Sequence, residues 1–123
     1  PKGDVVLLGV HPIPPVSTQA AAMRDTEFSQ IARWAKAQKH PHVVIGDFNA
    51  TRWSAPFARM LDEGGLRMSP GLSTTWPYGI TALAPFRIPI DHALYSRGLE
   101  LTQRFLGPSN GSDHRPLTVH FKR

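Results

Sequence analysis

Three short acidic motifs constrain this chain more than any other feature, because each lies at the end of an apolar, strand-like run. The motifs are Gly46-Asp47-Phe48-Asn49, Ile90-Asp91-His92 and Ser112-Asp113-His114, and His11 follows an earlier run of the same kind. Apolar runs of about four to eight residues are typical of buried strands. The sequence therefore predicts a sheet, with these polar side chains converging at one end of it.

The apolar runs and helical spacings predict one α/β domain over residues 1–123. The expected order is β-α-β-α followed by a β-rich end, which implies a mixed sheet with helices on one side. In the first helix Phe28, Ile31 and Trp34 are expected to face the core, with Arg24 and Glu27 turned elsewhere. The predicted strands are 5–10, 42–45, 66–68, 87–95, 99–106 and 116–121. The first is expected to be buried on both faces, and Gly46 is expected to stop the second. The predicted helices run from Ser17 or Thr18 to near Lys39-His40 and from Ser54 to Gly64-Gly65, and residues 70–85 and 107–112 are predicted loops.

Composition excludes several classes of site. The chain has no cysteine, which rules out disulfides, thiolate zinc sites and cysteine nucleophiles. Hydrophobic residues make up 41% of the chain and no run approaches the roughly 18 apolar residues of a membrane span. The net charge of +5 suits phosphate-bearing partners. Because no dense basic run occurs, cations that merely decorate the ends and a helix face are the simpler interpretation.

The acidic motifs carry the residue types that hydrolysis of a phosphate ester needs. Such a reaction needs a cation to offset charge, a positioned water and a route for protons. Asp47, Asp91 and Asp113 offer carboxylates for Mg²⁺ and for orienting a base, and Asn49 offers an amide to water or phosphate. His114 is suited to general acid–base work, with Asp91 as the carboxylate that holds its tautomer. Together the motifs predict metal-assisted phosphoester hydrolysis.

Each motif alone also has a simpler interpretation. Asp47 and Asn49 after a glycine are typical of a turn, and Asp113-His114 suits a loop with a chance histidine. Asp91 favours a function, because a carboxylate inside an apolar strand is costly unless it is paired. The order of the motifs along the chain therefore carries more information than any one of them.

For the remaining candidate residues, the sequence does not distinguish a binding role from a structural role. His11 is, as a lone histidine before prolines, more often structural, and Trp76, like Trp53 and Tyr78, is either a stacking surface or a loop anchor. Ser112 beside Asp113-His114 suggests a serine hydrolase, but the chain has no G-x-S-x-G elbow and no P-loop signature. The other histidines are interpreted as structural or surface residues: His40, His42, His92 and His120.

In their order, the motifs resemble the C-terminal half of the endonuclease/exonuclease/phosphatase family, which includes DNase I, exonuclease III, sphingomyelinases and inositol phosphatases. The resemblance runs from His11 through Asp47-Phe48-Asn49 and Asp91-His92 to Ser112-Asp113-His114-Arg115-Pro116. It implies half of a DNase I-like four-layer α/β sandwich, with a mixed, mostly antiparallel sheet and helices on one face. Residues 49–54, 75–77 and 87–92 look closest to a bacterial branch in which many members carry N-terminal membrane segments. The compartment is left unknown, with anchoring through upstream segments as one option.

The resemblance implies a catalytic role for five residues. Asp47 resembles the aspartate that positions the attacking water or hydroxide. Asn49 and His11 resemble residues that contact the scissile phosphate, and both are therefore candidate substrate-binding residues. His114 resembles the catalytic histidine, and Asp91 resembles the carboxylate that orients it.

The cofactor and substrate follow from the same resemblance. Asp113 and Asp47 are the expected metal ligands, with Mg²⁺ or Mn²⁺ as the cofactor. Trp76 is a candidate substrate-binding residue. The substrate is expected to be a phosphate ester, and nucleic acid, phospholipid and inositol phosphate are not distinguished.

One departure from the family pattern is large. The family's N-terminal half normally supplies an asparagine and a glutamate that is the principal metal ligand, and neither is matched in this chain. Residues 1–123 are therefore expected to be the C-terminal portion of a single domain, inactive or severely impaired alone. The sheet face that it exposes is expected to pack against a second copy or against the N-terminal half. The alternative is a non-catalytic binding or scaffold module that keeps the fold.

Overall fold

A four-stranded mixed sheet forms the centre of the fold in the computed structural model, which describes residues 3–123. The strand order is β1-β2-β4-β3, with β1 parallel to β2 and the other neighbours antiparallel. Strands β5 and β6 form a separate antiparallel pair. This arrangement confirms the expected mixed, mostly antiparallel α/β class. The elements are β1 Val6–Val10, α1 Thr18–Ala37, β2 His42–Asp47, α2 Ala55–Gly64, β3 Arg67–Met68, a 3₁₀-helix Thr81–Phe86, β4 Asp91–Tyr95, β5 Glu100–Leu106 and β6 Leu117–Lys122.

Both helices cover one face of the sheet and enclose the main core. Ser17 begins α1, because its hydroxyl accepts the Ala20 N–H at 3.0 Å. Gly65, with φ of 62°, ends α2 in the left-handed conformation predicted for one of the two glycines. The largest core side chains are at most 1% exposed, and burying each contributes about 1.5–3 kcal/mol. They are Phe28, Val44, Phe48, Phe57, Met60 and Leu94.

The opposite face of the sheet is only partly covered. Val43 and Tyr95 pack there against Leu99 and Phe121, which belong to the β5–β6 side of the molecule. Leu7 in β1 is 66% exposed, so the prediction that the first strand is buried on both faces is wrong. The reason is that β1 is an outer strand whose residues alternate, and only its helix-side residues meet α1.

The second strand is longer than predicted and carries Asp47 within the sheet. Gly46 does not stop the strand, because it pairs with Val10 in β1 and with His92 in β4. Its φ is 155°, and a Cβ there would lie 1.9 Å from the Val10 carbonyl oxygen. Only glycine fits this position. The strand therefore continues to Asp47 and presents its side chain at the sheet end.

Two boundaries also differ from the predictions. Helix α1 ends at Ala37, before the predicted Lys39-His40. Strand β4 begins at Asp91 and not at residue 87, because Pro89 has no N–H for a ladder and Ile88 pairs separately with Trp76. The predicted loop 70–85 contains most of the 3₁₀-helix. Among the described residues, the helices are too short or too polar to cross a membrane.

Candidate active site

The strand register brings two carboxylates side by side at one end of the sheet. Asp47 is the last residue of β2 and lies directly opposite Asp91, the first residue of β4. Their side chains are 17% and 19% exposed. Two like charges in contact are unfavourable alone, so this pair favours a nearby positive charge. The sheet itself therefore creates a site for a cation or for a protonated histidine.

His114 lies between these two carboxylates. Its Nδ1–H donates to Asp91 Oδ2 at 2.8 Å, and its Nε2 lies 3.8 Å from Asp47 Oδ2. The loop before β6 holds the ring in place, since the His114 N–H donates to Ser112 Oγ at 3.1 Å. The Asp91 contact fixes the ring so that Nε2 faces Asp47. These three residues line a cleft of about 300 Å³.

The electrostatics of this cleft favour a protonated His114. Burial is the largest single influence and disfavours the charged ring. The hydrogen bond to Asp91, with the charges of Asp91, Asp47 and Asp113, outweighs burial and raises the pKa of His114 above its ordinary value. A raised pKa keeps a larger fraction of the ring cationic at neutral pH, where it is suited to contact an anion.

His11 and Asn49 lie on the other side of Asp47. The His11 side chain is 73% exposed, and its Nε2 lies 3.7 Å from Asp47 Oδ2. Asn49 has a left-handed backbone, with φ of 48°, and its N–H donates to Asp47 Oδ1 at 2.8 Å. Its side-chain amide donates to the Pro12 carbonyl at 2.9 Å. Asn49 therefore orients Asp47 and anchors the segment that carries His11, while its contact with phosphate stays a prediction.

Trp76 and Asp113 form the outer wall of the site. The Trp76 indole N–H donates to Asp113 Oδ2 at 3.0 Å, and the indole ring centre lies 6.4 Å from that of His114. The Asp113 carboxylate is thus turned toward Trp76 in this structure, and its predicted role as a metal ligand stays a prediction. Trp76 flanks the catalytic histidine candidate, in a position suited to substrate contact.

The donor set fits a hard divalent cation. Ligand atoms of Asp47, Asp91 and His114 all lie within 4.8 Å of one another. Of these, Asp91 Oδ2 and the His114 Nδ1 are committed to each other at 2.8 Å. Asp47 Oδ2 accepts no hydrogen bond from any residue in the described range 3–123. Mg²⁺ needs only one or two protein carboxylates beside waters and phosphate oxygens, so Asp47 is the carboxylate best placed for it.

Three supporting residues were not found from the sequence. Arg24 and Glu27 were expected to turn away, but Arg24 donates to the Asn49 carbonyl at 3.3 Å and Glu27 Oε2 accepts the Ile13 N–H at 3.0 Å. Thr75 is fully buried, and its hydroxyl accepts N–H groups from Ile90 and Asp91. No periodicity or motif singles them out, because each acts by a contact with a distant backbone group.

His92, in contrast, has the structural position predicted for it. It is 5% exposed, lies 4.7 Å from the Phe57 ring centre and donates from Nε2 to the Ala50 carbonyl at 2.9 Å. Burial lowers its pKa, although the Ala50 contact partly opposes this. His92 therefore supports the loop after β2 from within the core.

The chain matches the endonuclease/exonuclease/phosphatase family over residues 1–114 and belongs to it. The family, by its name, comprises nucleases and phosphatases, which hydrolyse phosphoester bonds. Among curated proteins, a UPF0294 protein of Vibrio cholerae is 38% identical over 89 residues, or 67% of this chain and 28% of that protein. The chain thus spans under a third of the length of the curated relatives that it matches.

Solved structures confirm the fold class. An endonuclease/exonuclease/phosphatase protein of Beutenbergia cavernae superposes with a TM-score of 0.77 at 19% identity, covering 98% of this chain and 36% of that one. The 3′ phosphatase NExo of Neisseria, bound to a product DNA hairpin, gives 0.69 at 16% identity, covering 95% and 61%. A Staphylococcus aureus beta toxin mutant with bound magnesium ions gives 0.60 at 16% identity, covering 93% and 52%. At these identities the similarity concerns the fold.

Proposed function

We propose that this chain carries the catalytic end of a metal-dependent phosphoesterase. The observation that carries the proposal is the convergence of four side chains from four separate segments: His11, Asp47, Asp91 and His114. They bring a paired histidine and an open carboxylate together in one cleft, with the exposed His11 imidazole 3.7 Å from the same carboxylate. Membership of a family of nucleases and phosphatases supports the same reaction class.

Each residue has a role that its geometry supports. Asp47 Oδ2 orients the attacking water and takes its proton as the new bond from oxygen to phosphorus forms. His114, held by Asp91, presents a cationic Nε2–H to the phosphate as the bond to the leaving oxygen breaks. The leaving oxygen takes the Nε2 proton of His114, and the proton held by Asp47 restores the cationic ring, so the overall change is addition of one water across the phosphoester bond. His11 contacts a second phosphate oxygen.

A divalent cation, Mg²⁺ or Mn²⁺, completes this proposal. When bound, it would offset the negative charge that develops on the phosphate in the transition state. Asp47 would hold it, with Asp113 as the second candidate after a turn of its side chain away from Trp76. The magnesium ions of the S. aureus beta toxin structure support the choice of cation in this fold.

The experiment measures hydrolysis of bis(p-nitrophenyl) phosphate by the full-length gene product with Mg²⁺, with Mn²⁺ and with a chelator. We expect Asp47→Ala and His114→Ala to lower kcat/KM by about 10²- to 10⁴-fold, and the chelator to abolish the activity. His40→Ala is the matched control, because His40 is exposed and contributes no side chain to the site. Wild-type levels of activity in both site variants would overturn the assignment of this site. A wild-type protein without metal-dependent activity would favour a non-catalytic binding module.

The exposed face of the sheet enters the proposal as a docking face. Leu7 is 66% exposed on the side of β1 that the helices do not cover, and Val5, just before the strand, is 47% exposed. We propose that a second copy of the chain or an N-terminal half of the same domain covers them. Light scattering of the 123-residue chain is expected to detect self-association that Leu7→Asp weakens; a monodisperse monomer at high concentration would exclude the second copy.

A further inference from the structure

An exposed apolar stripe runs along the 3₁₀-helix Thr81–Phe86. Ile80, Leu83 and Phe86 are 52%, 37% and 70% exposed. They are spaced three residues apart, and a 3₁₀-helix has about three residues per turn. Their side chains therefore lie on the same side of the helix and form one apolar stripe. The positions between them are also exposed and hold only threonine, alanine and proline.

The charged residues that flank the apolar stripe along the sequence have one sign. The sequence has no charged residue from Ser69 to Phe86 and no carboxylate between Glu63 and Asp91. Arg67 and Arg87 flank this stretch, and the whole chain carries a net charge of +5. The Asp113 carboxylate accepts the Trp76 indole N–H and so contacts this segment at its active-site end. An apolar segment that holds no carboxylate of its own and is flanked by cations in the sequence is complementary to an anionic interface that has an apolar layer beneath it.

The loop that carries the apolar stripe is fastened to the active site. Arg87, which ends the 3₁₀-helix, lies over the Tyr78 ring at 4.5 Å, and Arg115 lies 5.1 Å from the centre of the same ring. The Tyr78 N–H donates to the Asp113 carbonyl at 2.7 Å. Arg115 and Asp113 flank His114 in sequence. An external surface that contacts the apolar stripe therefore lies close to the cleft.

We infer that the apolar stripe of Ile80, Leu83 and Phe86 inserts into the surface of an anionic phospholipid membrane and holds the active site at that interface. The choice of a phospholipid surface rests in part on the proposed phosphoesterase function. Large exposed apolar side chains are the expected anchors at the boundary between headgroups and acyl chains. Nucleic acid is the less favoured partner, because binding along its backbone draws on Lys and Arg, which the stretch from Ser69 to Phe86 lacks.

The experiment measures co-sedimentation of the chain with vesicles of phosphatidylcholine alone and of an equimolar mixture with phosphatidylglycerol. We expect binding to the anionic vesicles, and at least about tenfold weaker partitioning for Leu83→Ser and for Phe86→Ser, since one buried large apolar side chain is worth about that much. Met23→Ser is the matched control, because Met23 is 52% exposed on α1 and is expected to leave partitioning unchanged. Circular dichroism of each variant verifies the fold.

Binding without turnover separates this inference from the proposed function, because Asp47→Ala is expected to bind the vesicles like the wild type. Absence of binding to anionic vesicles would overturn the inference. So would binding that the two stripe variants leave unchanged, since it would arise from the basic surface alone. A loss of affinity in these variants for a DNA duplex but not for vesicles would overturn it in favour of nucleic acid.

Discussion

The candidate site has an inner half and an outer half that are held in different ways. The inner half comprises Asp47, Asp91 and His114, whose side chains are at most 27% exposed. A 2.8 Å hydrogen bond joins Asp91 and His114, and Asp47 lies 3.8 Å from the same ring. The outer half comprises His11 and the pair Trp76 and Asp113. His11 is 73% exposed and has no contact with Asp47 shorter than 3.7 Å. Strand register fixes Asp47 and Asp91 before any ligand arrives, and the hydrogen bond to Asp91 holds His114 beside them. The outer half depends on loops.

This difference predicts unequal effects on catalysis. We expect His114→Ala to lower kcat/KM of the full-length gene product by about 10²- to 10⁴-fold, because it removes the positioned acid–base group. His11→Ala removes one exposed contact to the phosphate, and we expect a loss of roughly tenfold. Steady-state kinetics on one phosphodiester substrate compares the two directly. A loss for His11→Ala as large as that for His114→Ala would break the distinction between the halves.

The inner half stands on an aromatic core, and the prediction for that core concerns stability. Phe57 is 0% exposed and packs against Phe48 and His92. We expect Phe57→Ala to lower the free energy of unfolding by about 3–5 kcal/mol. Phe86, at 70% exposure, is the matched control, and Phe86→Ala is expected to change it by less than about 0.5 kcal/mol. Urea unfolding followed by fluorescence measures both, and equal effects would contradict the core assignment.

Asn49 links the two halves, and its two contributions can be separated. Asn49→Ala removes the hydrogen bond to the Pro12 carbonyl. It also places alanine, which has no side-chain amide, in a left-handed backbone with φ of 48°. We expect a loss of about 1–3 kcal/mol in the free energy of unfolding. Asn49→Gly loses the same bond but tolerates the backbone, so a smaller loss is expected. If the glycine variant is the less stable one, the backbone argument is wrong.

Two histidines, the buried His92 and the site residue His114, are expected to give the stability opposite dependences on pH. His92 is buried and its pKa is lowered, so its contribution is present above the unfolded pKa and is lost as the pH falls toward the folded one. The pKa of His114 is raised, so its contribution is present below the unfolded pKa and is lost as the pH rises through the folded one.

For each histidine, the free energy of unfolding is expected to change by at most about 1.4 kcal/mol per pH unit. This is the smallest of the expected effects. Urea midpoints across the histidine range are the measurement. We expect His92→Gln to flatten the acid side of the profile and His114→Gln to flatten the other side. The assignments fail if the two variants flatten the same side.

The sequence predicts the inner half well, because apolar runs and β-pairing are repetitive signals. A strand that leads to Asp47, a strand that contains Asp91, and the pairing of Asp91 with His114 were expected from the motifs. The error at Gly46 concerned a close approach to Val10 that no local pattern encodes. The exposure of Leu7 was not predicted, because the burial of a strand depends on which elements cover it. An apolar run has the same sequence pattern whether one face of the strand is covered or both are.

The outer half was harder to predict, because its contacts join distant backbone groups. Arg24 and Glu27 lie on a helix whose periodicity turns them away from the core, yet both bind loop backbone. The Trp76 contact with Asp113 crosses between two loops. Such contacts depend on the conformation of loops, and loop conformation follows from tertiary packing more than from local propensity.

The most direct test is an NMR titration of the His114 imidazole in the wild-type chain and in Asp91→Asn, since the coupling of these two residues is the central claim. We predict that His114 titrates above the ordinary pKa of a histidine side chain in the wild type, because the Asp91 hydrogen bond and the surrounding carboxylates raise its pKa. In Asp91→Asn its pKa should fall. A His114 that titrates at the ordinary pKa of a histidine in the wild type, and is unaffected by Asp91→Asn, would contradict the account.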